Sequence, residues 1–234
     1  TETVRAKISA ALADTAALDP AFFSKLSFTQ GGILALELLV FEESGGEHRR
    51  DAASVVADFA TNPRKCAYLE GMAEHVESLA AKVDEGWSSA FAGGAAYSTT
   101  LKSGLLEDGA APVPALLTVL IEHLDYIKKR KLEGILDAQA SGHSFDNISS
   151  SLDMLERFFE PPGRAGIEEV DSFVELMTLR GYQQSAGAAL RKALNDAKQA
   201  VQSADAKNSA LAIATLEGVL KRDVPKALGV ELGI

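Results

Sequence analysis

The chain has 234 residues, of which 47% are hydrophobic and 24% are charged, so it can bury a core as one large domain or two small ones. Its net charge of −10 argues against binding along nucleic-acid phosphates, which requires clustered lysine and arginine side chains. The single cysteine, Cys66, excludes an internal disulfide, and no apolar run reaches the roughly 20 residues of a membrane-spanning helix. We therefore expect a folded, soluble protein that does not bind nucleic acid.

Apolar residues recur at spacings of three and four along the whole chain, and no stretch shows a convincing alternation of apolar and polar residues. This periodicity predicts an all-α protein. In chain order, the predicted helices lie at residues 3–14, after Asp19-Pro20, around Glu37, and at about 51–60, 64–92, 112–137, 146–159, 166–179, 183–203 and 206–222.

Local signals mark several helix ends in the first half of the chain. Asp19 before Pro20 suits an N-cap followed by the first helical residue. Asn62-Pro63 is expected to separate two helices, because proline disfavours helical backbone at the residue before it. The glycines of "SGGE", residues 44–47, and Gly93-Gly94 are expected to end helices.

The second half carries similar signals. In "SGHSFDNISSS", Asp146 or Ser144 is expected to cap the helix that ends before Pro161-Pro162, although capping does not explain His143. The last residues, "PKALGVELGI", are expected to be irregular. Short connections between long helices favour antiparallel bundles, and no repeat of 20 to 50 residues indicates a solenoid.

Few residues carry recognisable chemistry. The histidines lack the spacing of a helical zinc or di-iron motif, and the basic run "IKKRKLEG", residues 127–134, is typical of a solvated helix face. Cys66 has basic neighbours but no accompanying base, so we interpret it as a structural thiol. Glu37 stands out because it lies inside the apolar segment "FTQGGILALELLVF". An ionised carboxylate there must reach the surface or find a partner.

Five segments, in order and over most of the chain, resemble the imelysin family. "QGGILALELLVF" is similar to the family's G-x-H-x-x-E segment, with Gly32 at the glycine and Glu37 at the glutamate. The other matching segments are "RKCAYLEGMAEHVESLAAKVDEGW", "LIEHLDYIKKRKL", "SGHSFDNISSSLDML" and the C-terminal "KALGVELGI".

The resemblance implies two antiparallel helical bundles, at residues 1–105 and 106–234, joined in the region from Gly93 to Gly109. It also implies an exported bacterial protein, periplasmic or on the outer surface and often lipid-anchored, with a role in iron uptake. Because the chain starts without a basic segment followed by an apolar core, any export signal is expected to have been removed or to lie outside this sequence. The family is also catalogued as a metallopeptidase family, which would require a divalent metal or iron.

One departure from the family pattern bears directly on chemistry. Leu34 occupies the position of the motif histidine, and leucine neither binds a metal nor transfers a proton. From the matching segments we expect a polar cleft between the bundles that joins Gly32 and Glu37 to distant polar residues, with Glu37 and His143 as metal ligands if an ion binds. The distant residues are Asp125, Arg130, His143 and Ser144.

Three functions remain open from the sequence. The first is a non-catalytic protein that binds a small ligand, a metal complex or an iron-uptake partner in this cleft. The second is a metal-dependent peptidase in which His143 or His123 replaces the lost ligand beside Glu37. The third is a structural interaction module whose Glu37 points to solvent.

Overall fold

The structure, a computed structural model, describes residues 2–27, 30–41, 51–88, 96–104, 106, 111–133, 142–161, 172–179 and 184–233. All regular secondary structure in these ranges is helical, which confirms the predicted all-α class. The helices are α1 (Glu2–Ala13), α2 (Pro20–Phe23), α3 (Ile33–Phe41), α4 (Ala52–Thr61), α5 (Pro63–Ser88), α6 (Tyr97–Ser103), α7 (Pro112–Tyr126), α8 (Ser144–Phe159), α9 (Phe173–Leu179), α10 (Gln184–Gln202) and α11 (Ala206–Leu228). A π-helical segment, Ile127–Leu132, continues α7.

The described residues form two compact units. The first contains the described residues up to 99 together with Gly142, and the second contains those from 100 to 133 and from 143 onward. The predicted boundary between residues 105 and 106 stays a prediction. The expected helix stops at residues 44–47 and 93–94, and the helical start expected near 166, lie outside the described residues.

The first unit packs α1, α2 and α3 around the N-terminal half of α5. Phe23, Tyr68 and Met72 are buried, and the Phe23 and Tyr68 rings meet edge to face with centroids 5.4 Å apart. The predicted Asp19 cap is confirmed, since the Phe22 N–H donates to Asp19 Oδ1 at 2.9 Å. The predicted break at Asn62 is confirmed too, because its φ of −127° and ψ of 82° lie outside the helical region.

The second unit is organised around α10 and α11. Residues 203–205 alone connect these helices, so the two form an antiparallel hairpin. Asp205 caps α11 by accepting the Asn208 N–H at 3.0 Å. Helix α8 covers the same core, with a buried stripe at helical spacing formed by Ile148, Leu152, Leu155 and Phe159.

Three local predictions in the second unit contain an error. Residues 112–137 were predicted to form one long amphipathic helix. The helix is continuous from Pro112 to Leu132, but its backbone widens after Tyr126 into π-helix, as the hydrogen bond from the Glu133 N–H to the Lys128 carbonyl at 2.9 Å shows. Apolar spacing cannot distinguish these two forms over six residues. Helix α8 begins at Ser144 with His143 at its N-cap, so Ser144 and Asp146 lie in the first turn instead of capping it.

The third error concerns the C-terminal segment. Helix α11 continues past residue 222 and through Pro225 to Leu228, where irregular structure was expected. Proline removes one N–H from the helix, but buried Val224, Ala227 and Leu228 keep the last turns packed on the core. Gly229, with φ of +69°, then ends the helix in the left-handed conformation that glycine adopts without strain.

Candidate functional site

Gly32 sets the start of α3. Its φ of +83° is strained for any residue with a side chain, and its N–H donates to Met72 Sδ on α5 at 3.3 Å. Its carbonyl accepts the Ala35 N–H at 3.0 Å, which begins the helix. The predicted glycine of the motif therefore fixes the direction in which α3 leaves the turn.

The side chains of helix α3 differ in their burial. Ala35, Leu38 and Leu39 are buried in the core of the first unit, and Leu34 packs against that core while partly buried. Glu37 is half-buried and has interactions with its surroundings. A fully solvent-exposed Glu37, which the third function requires, is not what the structure contains.

Asp125 and Arg130, the candidates from the basic segment, differ in their surroundings. Asp125 is half-buried and forms ion pairs with Lys129 at 2.8 Å and Lys128 at 3.2 Å. Hydrogen bonds from Lys129, and secondarily from Lys128, hold the pKa of the Asp125 carboxyl below its usual value. Arg130 is exposed. Asp125 is therefore ionised and balanced by lysines of its own helix.

Lys128 also pairs with Glu217, a residue that was not predicted from the sequence to belong to a site. Lys128 Nζ lies 2.7 Å from Glu217 Oε2 on α11, and Lys221 Nζ lies 2.6 Å from Glu217 Oε1. Glu217 is only 6% exposed. Burial raises the pKa of Glu217, but hydrogen bonds from Lys128 and Lys221 outweigh that effect and lower it. Lys128 thus departs from the expected solvated helix face.

One signal in the sequence could have revealed part of this network. Glu217 and Lys221 are four residues apart, the spacing at which a glutamate and a following lysine pair on a helix. Lys128 is 89 residues away from Glu217, and no local pattern links them.

His143 and Ser144 lie at the beginning of α8. His143 is an exposed N-cap whose Nδ1 lies 2.7 Å from Asp146 Oδ2. Ser144, the first helical residue, is buried with 5% exposure. His123, the other histidine that could replace the motif ligand, is half-buried, and burial together with the nearby Lys131 charge lowers its pKa. His123 is therefore predominantly neutral near pH 7.

The shared site predicted for these residues stays a prediction. Gly32 and Glu37 belong to the first unit, whereas Asp125, Arg130, His143 and Ser144 belong to the second. Within the ranges that the structure describes, no group of three or more His, Cys, Asp or Glu side chains is arranged to hold a metal ion. The pairing of Glu37 with His143 at an ion likewise stays untested.

Comparison with protein families matches residues 1–230 to the family described as Imelysin, peptidase M75. No curated protein and no solved structure matches the chain. Among the described helices, none combines the length and the apolar character needed to cross a membrane.

Proposed function

The chain belongs to the imelysin family, and we propose that it is an exported, non-catalytic binding protein linked to iron or metal uptake, with Glu37 as its central binding residue. The observation that carries this proposal is Leu34. The motif position that would bear histidine holds a leucine packed against the core of the first unit.

A leucine at this position changes what the segment can do. A histidine at position 34 would lie one helical turn from Glu37, so two ligands could approach the same ion. Leu34 supplies apolar packing instead. A catalytic zinc site normally keeps three protein ligands and one open position, so loss of this ligand argues against peptidase chemistry and leaves binding as the supported function.

Glu37 provides the polar group of the proposed site. It is half-buried in a helix whose neighbouring residues are apolar, and it is preceded by the turn at Gly32. A carboxylate in such a position can accept hydrogen bonds or a cation from a ligand. We include Asp125, Arg130, His143 and Ser144 in the proposed site on the resemblance to the family. Periplasmic or outer-surface location and a lipid anchor are also part of this proposal.

The test compares the wild type with a variant that restores the motif and with a variant that removes its acid. Wild type, Leu34→His, Glu37→Gln and the double variant with both substitutions are stripped of metal and titrated with Zn²⁺ and Fe²⁺ by calorimetry. Each protein is then assayed for cleavage of unfolded casein. We expect no chelator-sensitive cleavage by the wild type. Leu34→His is expected to bind Zn²⁺ more tightly than the wild type, and Leu34→His combined with Glu37→Gln should lose that gain.

Two outcomes separate the functions. Zinc-dependent casein cleavage by the wild type, lost on chelation and on Glu37→Gln, would establish the peptidase alternative. If Leu34→His gains no metal affinity over the wild type, position 34 does not face the same site as Glu37, and Leu34 no longer supports a non-catalytic role. Far-UV circular dichroism of each variant verifies that the helical fold is retained.

A further inference from the structure

A groove of about 630 Å³ lies at the C-terminal end of α11, apart from every residue assigned to the proposed site. One side is the last turns of the helix. The other side is the chain after Gly229, which turns back so that the Val230 N–H donates to the Pro225 carbonyl at 3.0 Å. Val230 and Leu232 are partly buried against the core of the second unit, so this wall is anchored.

The groove concentrates positive charge in an acidic protein. Lys221, Arg222 and Lys226 line it beside a single acid, Glu231, although the whole chain has a net charge of −10. Arg222 and Lys226 are four residues apart on one helix, a spacing at which like charges repel. Within the described part of the chain, neither side chain forms an ion pair, and Glu231 forms none with them. An anion placed between the two cations would remove this repulsion.

Glu217 and Gly218 lie beside two of the cations. Glu217 binds Lys221 at 2.6 Å and keeps its ammonium group at the edge of the groove. Arg222 Nη2 lies 3.4 Å from the point where a side chain on Gly218 would begin, so the guanidinium rests along the helix over a glycine. Pro225, Val230 and Leu232 add an apolar surface next to these charges.

We propose that this groove binds an organic anion, with its carboxylate or phosphate group between Arg222 and Lys226 and its apolar part against Pro225, Val230 and Leu232. The guanidinium presents two parallel N–H donors that match the oxygens of either anionic group, and the ammonium adds a second positive charge. The apolar wall selects a ligand with an alkyl or aromatic group over a small inorganic anion. This site is independent of Glu37 and of the function proposed for it.

The experiment titrates the full chain with three probes: inorganic phosphate, octyl phosphate and octanoate. Binding is measured by calorimetry and by amide shifts in ¹H–¹⁵N spectra at low ionic strength. The test variant is Arg222→Gln with Lys226→Gln. The control is one double variant, Lys207→Gln with Lys192→Gln, which removes the same charge from exposed positions that do not line the groove.

We expect at least one octyl anion to bind the wild type at least tenfold more tightly than inorganic phosphate, with the largest shifts at Gly229–Glu231. The test variant should lose at least tenfold in affinity for that anion, and the control variant less than twofold. Val230→Ser should weaken binding of the octyl anion and leave the affinity for inorganic phosphate unchanged. Undetectable binding of both octyl anions to the wild type, or equal losses in test and control variants, would overturn the proposal.

Discussion

Two helices, α3 in the first unit and α11 in the second, each carry a glutamate among apolar residues, but the two side chains differ in burial. Glu37 is half-buried on α3. Glu217 is buried on α11, where Lys128 and Lys221 each bind one of its carboxylate oxygens. The comparison teaches that an acid in an apolar helix does not by itself indicate a ligand site, because a lysine from another segment can satisfy it.

The largest effect is expected from the removal of Glu217, the more deeply buried of the two acids. Glu217→Ala leaves Lys128 near the core without its principal partner, and breaking a buried ion pair on one side costs about 3 kcal/mol of unfolding free energy. Glu37→Ala is expected to cost less than about 1 kcal/mol, since α3 buries other residues. Urea unfolding followed by circular dichroism at 222 nm measures both. Equal losses in the two variants would remove the distinction between the two glutamates.

The next effect concerns the first unit, whose core contains packed aromatic rings. A methyl group on Gly71 would lie 2.2 Å from Cε2 of Phe23, a side chain that is buried with only 1% exposure. We expect Gly71→Ala to lower the unfolding free energy by about 1–3 kcal/mol through overpacking. A double-mutant cycle with Phe23→Leu provides the control. If the clash is with this ring, the double variant should lose less unfolding free energy than the sum of the two single losses.

A smaller effect is expected on lowering the pH. The pKa of Glu217 is depressed in the folded protein below its ordinary value of 4.5, so its contribution to stability is present above that value and is lost as the pH falls through the folded pKa. Wild type should therefore lose more unfolding free energy between pH 6 and pH 3 than Glu217→Gln does. Identical pH dependence of the two proteins would show that the lysines do not stabilise the ionised form.

The smallest effect is expected from a substitution at a second helical glycine, Gly218. At Gly218 a methyl group would meet only Arg222, at an ordinary contact distance of 3.4 Å, so Gly218→Ala should raise the unfolding free energy by about 0.5–1 kcal/mol through helix propensity. Gly229→Ala, at the residue that ends the same helix, is the control. Its φ of +69° is unfavourable for alanine, so that variant should lose stability. A loss at both positions would mean that the Arg222 side chain cannot accommodate the methyl group.

Local features predicted much of the helical layout. Asp19 before Pro20 and the Asn62-Pro63 break were placed correctly, because capping and the restriction before proline act over three or four residues. The π-helical segment and the continuation of α11 through Pro225 were not predicted. Both depend on which side chains are buried by other helices, as Ile127 and Val224 are.

By itself, the sequence determined the all-α class, the family and the absence of histidine at position 34, since each follows from residue identity and spacing along one chain. Only the tertiary structure showed that Lys128, in the basic run that was expected to be solvated, pairs with Glu217. It also showed that three cations of α11 line one groove with the apolar residues that follow Gly229. The ion pair joins residues that are 89 positions apart in sequence, and the groove depends on the continuation of α11 through Pro225 and on the turn after Gly229. Their geometry depends on how helices pack, which periodicity within a single segment does not encode.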